Sequence, residues 1–411
     1  MKKTIKLAVV AALVLGTTSA FATNGATLIG MGAEARGMAG TGIGIAHGAE
    51  SALVNPALIT SVKNTEISFG GTFFMPDVSY ASQGGTSADS DADLSVIPEV
   101  SLATKINDNF YVGIGMWGTG GMGVDYRDAA ASAGTMNMVT NLQLMQFGVP
   151  LAYTTNGFSI AVTPILQYGS LDINYVTDTT GDGKANDNGM GVAQDLKFGY
   201  NIGLAYEISG FTVGAVYKSQ IDMEYKGFDH VVTPFVNDSQ TGGTYDNNKL
   251  STPAEMGIGI SYTMAEHTLA LDYKNIKWSD AKGYEDFAWD DQNVISLGYE
   301  YKAKGWAARV GYNYASSPIS QKSQAYNNSA KLNGDTINMF NLLGFPGIVE
   351  SHYAVGGTYS LNEQTSVDLA FTYAPEKSET YKAYNPKAKQ EYDITTKHSQ
   401  TGVSVQLNYN F

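Results

Sequence analysis

Val403-Ser404-Val405-Gln406-Leu407-Asn408-Tyr409-Asn410-Phe411 places valine, leucine, tyrosine and phenylalanine at every odd position and serine, glutamine and asparagine at every even one. A strand turns successive side chains to opposite faces, so this stretch has one apolar and one polar face. Lipid offers a peptide group no hydrogen-bond partner, and a sheet therefore crosses a bilayer only as a closed cylinder. A last strand that is apolar outward, polar inward and ends on an aromatic residue is suited to closing such a cylinder against the first strand. Soluble sandwich strands alternate too. The rest of the chain separates the two cases.

The same period recurs after residue 64. Met256, Ile258, Ile260 and Tyr262 oppose Glu255, Gly257, Gly259 and Ser261; Leu269, Leu271 and Tyr273 oppose Asp272 and Lys274. Charges on the polar face of so many strands predict a wet or plugged lumen rather than a dry core. Connections alternate in length. Short turns fall at Asn107-Asp108, Asn156-Gly157, Ser209-Gly210, Ala265-Glu266, Lys304-Gly305 and Asn362-Glu363, and long polar loops at 77–91, 119–135, 178–193, 227–250, 279–291, 316–349 and 375–391. Six short and seven long connections join fourteen strands, which is the bacterial barrel pattern of periplasmic turns and outer loops.

Residues 1–22 read as a secretory signal peptide, with Lys2, Lys3 and Lys6 ahead of an apolar run and Ala20-Phe21-Ala22 at the cleavage site. That run is too short to span as a helix. The chain lacks cysteine, which excludes a lipid anchor on cysteine, disulfides and thiolate chemistry. Losing the three leader lysines leaves 22 basic against 39 acidic residues, 17 negative, which argues against nucleic acid as a partner. The 26 tyrosines suit interfacial girdles.

Residues 23–63 do not alternate. They are Gly/Ala-rich, with helical stretches expected around Glu50–Val54 and Pro56–Val62, and Asn55 is placed to cap the second. A barrel of fourteen strands is too wide for side chains alone to fill. These residues are therefore expected to form a lumen plug, with the barrel spanning 64–411.

Arg36 to Gly40, Gly42 and Ser51-Ala52-Leu53-Val54-Asn55-Pro56-Ala57-Leu58-Ile59-Thr60 resemble the hatch of the FadL/TodX outer-membrane transporters of hydrophobic compounds, whose hallmark is the Asn-Pro-Ala triplet, here Asn55, Pro56 and Ala57. The resemblance extends to Ile106-Asn107-Asp108-Asn109-Phe110, Trp278-Ser279 and the closing Asn408-Tyr409-Asn410-Phe411. It implies a fourteen-stranded antiparallel transmembrane β-barrel with an N-terminal hatch. It also implies passive uptake of long-chain fatty acids or other hydrophobic compounds, such as aromatic hydrocarbons, through a kink in the third strand. Gly118, Gly120, Gly121 and Gly123 are the residues expected at that lateral gate, with Gly121 at the kink. Glycine there is physically apt, because it tolerates dihedrals that break a ladder. Met31, Met38, Met116, Met122 and Tyr175 are ligand-pocket candidates. The positions matching the family's basic ligand anchors are Tyr175 and Glu285, so Lys277, Lys282 or Arg309 would have to anchor an anionic ligand, and a neutral hydrophobe becomes equally plausible.

Other motifs are weaker. Gly118-x-Gly120-x-x-Gly123 matches a dinucleotide fingerprint in letters, but no helix pattern follows. Asp178, Asp182 and Asp187 lack calcium-loop spacing. The histidines at 47, 230, 267, 352 and 398 have no metal-ligand spacing, and no nucleophile elbow is present. The expectation is a monomeric, cofactor-free, metal-free, non-enzymatic protein of the bacterial outer membrane, in contact with lipid and lipopolysaccharide. The alternatives are a general diffusion porin for polar solutes and an outer-membrane lipid hydrolase or acyltransferase.

Overall fold

The computed structural model describes residues 23–177, 184–236, 244–385 and 389–411. The expected leader, and Asp178 and Asp182, lie outside them. Fourteen antiparallel strands form one closed barrel: β1 Thr65–Ser82, β2 Ser95–Lys105, β3 Phe110–Asp125, β4 Val139–Gly148 resuming as Leu151–Thr155, β5 Phe158–Thr177, β6 Ala193–Ile208, β7 Phe211–Lys218, β8 Glu255–Met264, β9 His267–Ile276, β10 Gln292–Ala303, β11 Trp306–Ala315, β12 Ser351–Ser360, β13 Thr365–Asn385 and β14 Gln390–Asn410. Closure runs through β14 and β1, in register from Asn410↔Glu66 to Ile394↔Ser82. The break in β4 is Val149-Pro150. Proline has no N–H to give, yet Gly113 N still bonds the Pro150 carbonyl at 2.9 Å and the register carries across.

The alternation maps onto lipid and lumen as the pattern requires. On β8, Met256, Ile258 and Ile260 are exposed outward, while Glu255 and Ser261 are buried inward. The short turns fall where expected. At 156–157 both residues take positive φ (50° and 80°), the geometry that matches the twist of a two-residue hairpin. The outer connections differ in extent. The stretch 375–391, read as a loop, is mostly ladder, with Lys377↔His398 through Asn385↔Gln390 paired. Outside the membrane a strand has no need of an apolar face, so a polar run there carries no sign of being sheet. Pro375 sits in the irregularity between Ala374 and Lys377, where no ladder N–H is required.

Residues 23–62 contact the inner wall on several sides. They contain the helix α1 Gly32–Gly37, which lacked any sequence signal, then α2 Ser51–Val54 and a 3₁₀ turn Pro56–Ser61. At the other end of the barrel, the helices α3 Phe228–Val232 and α4 Gly334–Leu343 belong to an aromatic cluster in which Phe287 stacks on Phe340 at 4.4 Å and Trp278, Tyr284 and Trp289 meet pairwise within 5.0 Å.

Leu271 sits mid-strand on the lipid face. Leu271→Arg is expected to cost about 2–4 kcal/mol, the range for a cation at the bilayer midplane, as measured by urea-driven refolding into lipid. A null effect would place that face in water.

Candidate functional site

The inner segment is held to the wall by a few buried polar contacts. Arg36 donates to both oxygens of Glu99 on β2, at 2.8 and 2.5 Å, and Gly32 N donates to the same carboxylate at 3.0 Å. Across the lumen, Asp272 on β9 accepts the consecutive N–H groups of Gly42, Ile43 and Gly44 at 2.7, 2.8 and 3.3 Å. Ser261 Oγ donates to the Gly44 carbonyl at 2.6 Å. The backbone comes this close because β7 and β8 present glycine there: a Cβ at Gly214 would overlap the Ile43 carbonyl, and one at Gly259 would overlap Asp272.

Asn55 has two tasks. Its Oδ1 accepts from Ala57 N at 3.1 Å, capping the turn that Pro56 begins, and its Nδ2 donates to Ile43 O at 2.8 Å and to Leu204 O on β6 at 3.1 Å. The triplet thus joins the segment to itself and to the wall. Glu99 was absent from the sequence reading, and Asp272 entered it only as a polar-face residue of its strand. A lone carboxylate on the polar face of a strand resembles any other lumen charge until its partner is known.

On the side away from the aromatic cluster, Arg309 Nη2 reaches Glu34 at 3.0 Å and Glu300 at 2.7 Å, and His47 Nδ1 lies 3.3 Å from Glu34. Burial drives the Glu34 carboxyl up, but Arg309 and His47 outweigh it and hold the group well below the usual carboxylate range. Among the described residues Glu50 forms no ion pair, and the pull of Arg309 on it is the weakest of the influences it feels. Burial, with Glu34, Asp368 and Glu99 nearby, pushes it well above that range.

The wall is not uniform. The β2–β3 ladder stops at Glu99↔Trp117, although β3 continues to pair with β4 as far as Asp125↔Val139. Between Gly118 and Gly120 the β3–β4 register slips by one residue, so Thr119 is the extra residue of a bulge. Above it, Val96, Ile97 and Pro98 of β2 keep their ladder with β1 and have no β3 partner. The edge of β3 turned away from β4 bonds instead to the inner segment, through the bridge Thr27↔Gly120 and Gly121 N to Ala26 O at 3.0 Å. Phe110 and Ile114 are exposed to lipid, whereas Gly120 to Asp125 are buried at every position. The third strand leaves the lipid-facing surface where the glycines begin. A Cβ at Gly120 would lie 2.5 Å from the Ala26 carbonyl oxygen, so a side chain there would push on the inner segment rather than fill a hole in the wall.

A cavity of about 70 Å³ lies between the inner segment and the wall, lined by Met31, Leu53, Thr27, Thr119, Lys218 and Lys274 among others. Ligand pockets of drug size run to roughly 300–1,000 Å³, so this one is closed down. Of the pocket candidates, Met31 lines it. Met38 is buried against Gly298 and Gly311, Met122 lies in the apolar interior, and Met116 shares a strand face with Phe110 and Ile114. Tyr175 belongs to the aromatic cluster, its hydroxyl donating to Val231 O at 2.8 Å and its ring 5.0 Å from Phe235. The three candidate anchors are not brought together. Lys277 pairs with Asp291 at 2.6 Å and Lys282 with Glu285 at 2.9 Å, contacts that raise both ammonium groups, while Arg309 serves the cluster around Glu34. None of them lines the central cavity.

Comparison with known proteins agrees with this geometry. Residues 9–327 match the model of the family described as outer membrane protein transport protein (OMPP1/FadL/TodX). The chain is 23% identical to the long-chain fatty acid transport protein of Salmonella typhi, covering 81% of this chain and 85% of that one. A crystal structure of a Pseudomonas aeruginosa FadL homologue superposes with a TM-score of 0.72 at 15% identity, covering 94% of this chain and all of that one. The toluene transporter TodX of P. putida gives 0.69 at 17%, covering 93% and 99%.

Asp272→Ala removes the acceptor of three amides. At about 1–3 kcal/mol for each buried donor left without a partner, exchange of the Gly42, Ile43 and Gly44 amides is expected to accelerate roughly tenfold or more while strand amides stay protected. Hydrogen-exchange mass spectrometry measures both.

Proposed function

The chain belongs to the OMPP1/FadL/TodX family of outer membrane transport proteins, and from that membership we propose that it passively takes up long-chain fatty acids or other hydrophobic compounds and releases them sideways through the wall. The observation that carries this reading is the end of the β2–β3 ladder at Trp117, with the freed edge of β3 held by Ala26 and Thr27. Two hydrogen-bonding residues of the inner segment stand where a neighbouring strand would otherwise be. On this reading residues 23–63 are a hatch, Asn55-Pro56-Ala57 fixes it to the wall, and Gly118 to Gly123 form the gate. Withdrawal of residues 26–27 opens the gap to the membrane interior.

Lateral release has a thermodynamic reason. An acyl chain that crossed to the periplasm through water would lose about 0.8 kcal/mol for every methylene exposed, whereas a side exit keeps it in an apolar setting throughout. The family's relatives named for fatty acids and toluene favour such a ligand. A general porin needs an open aqueous path, and a lumen occupied by residues 23–62 with a central cavity of about 70 Å³ favours the transporter over it. We read the activity as transport without catalysis, by a single barrel in contact with outer-membrane lipid and lipopolysaccharide.

Deleting Thr119 restores an unbroken β3–β4 register and lets β3 continue alongside β2. Uptake of a radiolabelled fatty acid or of toluene is expected to fall roughly tenfold or more. Heat-modifiable mobility and strand content should be unchanged. Wild-type uptake by a folded deletion variant would reject the lateral route.

A further inference from the structure

Glu50 borders two cavities. On one side a polar space of about 380 Å³ is lined by Glu34, His47, Glu66, Lys302 and Glu50 itself. It reaches Gly305 in the short Lys304-Gly305 turn, and so faces the periplasmic end of the barrel. On the other side Glu50 shares a space of about 10 Å³, no larger than a single water needs, with Gly32, Ser68, Glu99 and Trp117. This second space lies at the foot of the gate, because Glu99↔Trp117 is the last rung of the β2–β3 ladder.

The Glu50 carboxyl is only half satisfied. Its Oε1 accepts from Gln406 Nε2 on β14, whereas its Oε2 is buried without a hydrogen-bond partner among the described residues. That oxygen lies against Gly32, where a Cβ would overlap it. Ser68 Oγ on β1, in the same small space, is likewise buried without a partner. The surrounding charges do not balance either. Glu34, Arg36 and His47 belong to the hatch; Glu66 on β1, Glu99 on β2, Glu300 and Lys302 on β10, Arg309 on β11 and Asp368 on β13 come from the wall. Five carboxylates besides Glu50 thus share three fixed cations, Arg36, Lys302 and Arg309. Arg36 is committed to Glu99, and Arg309 to Glu34 and Glu300. An ionised Glu50 would be a buried charge with one bare oxygen, which is costly. A protonated one carries an O–H, and Ser68 and Glu99 line the space that receives it. The upward displacement of the Glu50 carboxyl agrees with this arrangement.

We infer that Glu50 is a proton-operated latch between the hatch and the gate. Protonated, it donates into the space it shares with Ser68 and Glu99, and α1 stays seated. Ionised, it sets a second anion beside Glu99, repelling that carboxylate and competing for Arg36. Glu99 is what holds Arg36 and Gly32 N, and Met31, next to Gly32, lines both this space and the central cavity. Loosening there reaches Ala26 and Thr27, a few residues up the chain. The proton comes and goes through the periplasm-facing cavity. The inference rests on the reading of residues 23–63 as a hatch and adds a control to it.

A seated hatch holds this proton more tightly than a withdrawn one. Seating is therefore strongest below the ordinary glutamate value of 4.5, and it weakens as pH rises through the raised value of the seated carboxyl. Glu34 works in the opposite sense, and its contribution is lost only in acid well below the usual carboxylate range. Acid holds the gate shut, and proton loss releases it.

The full-length protein in lipid, compared at about pH 5.5 and about pH 8.5, provides the test. Hydrogen exchange of residues 26–36 is measured against strand amides of the same sample, which cancels the intrinsic pH dependence of exchange. Wild-type hatch amides are expected to lose roughly tenfold or more of their protection at the higher pH, the factor for one proton over one unit of displacement. Infrared difference spectra between the two conditions should show the carbonyl band of a protonated carboxyl. In Glu50→Gln, which has the shape of the protonated form, that band should vanish and protection should stay at the acid wild-type level throughout. Imidazole is the usual source of a change in this window, so His47→Gln is the control and should keep both responses. A wild-type hatch indifferent to pH, a response that survives Glu50→Gln, or one that disappears with His47→Gln overturns the latch. Uptake of dodecanol, whose charge does not vary with pH, is followed separately in cells carrying each variant. If wild-type cells take up none at either pH while the hatch amides respond, the transport reading fails and the latch stands. Uptake with an unresponsive hatch removes the latch and leaves transport.

Discussion

The structure depends on the requirement that every peptide group facing lipid be hydrogen-bonded within the protein. Thirteen hairpin ladders and the β14–β1 closure meet it around the wall. The stretch where β3 abandons β2 within the wall is therefore where chemistry must intervene. β3 beyond Trp117 is bonded by Ala26 and Thr27, so its edge is not left open. A free strand edge is a liability that proteins pair, cover or charge, and here the covering comes from the chain's own N-terminal region.

That arrangement explains the chemistry of the lumen. The inner segment buries apolar residues such as Leu28, Leu53, Leu58 and Ile59, and paired charges and carboxylate–amide contacts fix its position against the polar inner wall. Arg36–Glu99 and Asp272 with three amides are the principal ones. Removing one partner of such a buried contact costs far more than the intact contact contributes, which makes the lock specific rather than strong. Unlike close-packed apolar surfaces, it also has discrete points at which it can be undone.

Much of this was legible in the residues. Period-two alternation placed the strands, and the two-residue turns at Asn156-Gly157 and Ser209-Gly210 marked one end of the barrel, because positive φ is written in such pairs. Asn55-Pro56 announced its own cap. The helix α1 was not legible: Gly32–Gly37 has no apolar period, and its Arg36 is fixed by a wall residue 63 positions away. The glycine cluster in β3 pointed to a break in the wall, but not to Thr119 as the bulged residue, since only the partner strand's register decides that. Lys218 and Lys274 read only as polar-face charges for the same reason. Each looks like an ordinary lumen charge until pairing across β6, β7 and β8 sets Lys218 beside Asn201 and Glu255.

The continuation of β13 and β14 past the bulge near Pro375 has a consequence of its own. Each strand is 21 residues long. At about 3.3 Å per residue and a tilt near 40°, such a strand rises roughly 50 Å, about twice the apolar band it has to cross. Much of this hairpin therefore stands clear of the bilayer as a stiff two-stranded mast, backed by the outer part of β1. A surface protease needs an extended chain free of partners, and ladder must unzip before it can be cut. On that flank the molecule meets its surroundings as durable sheet rather than as coil.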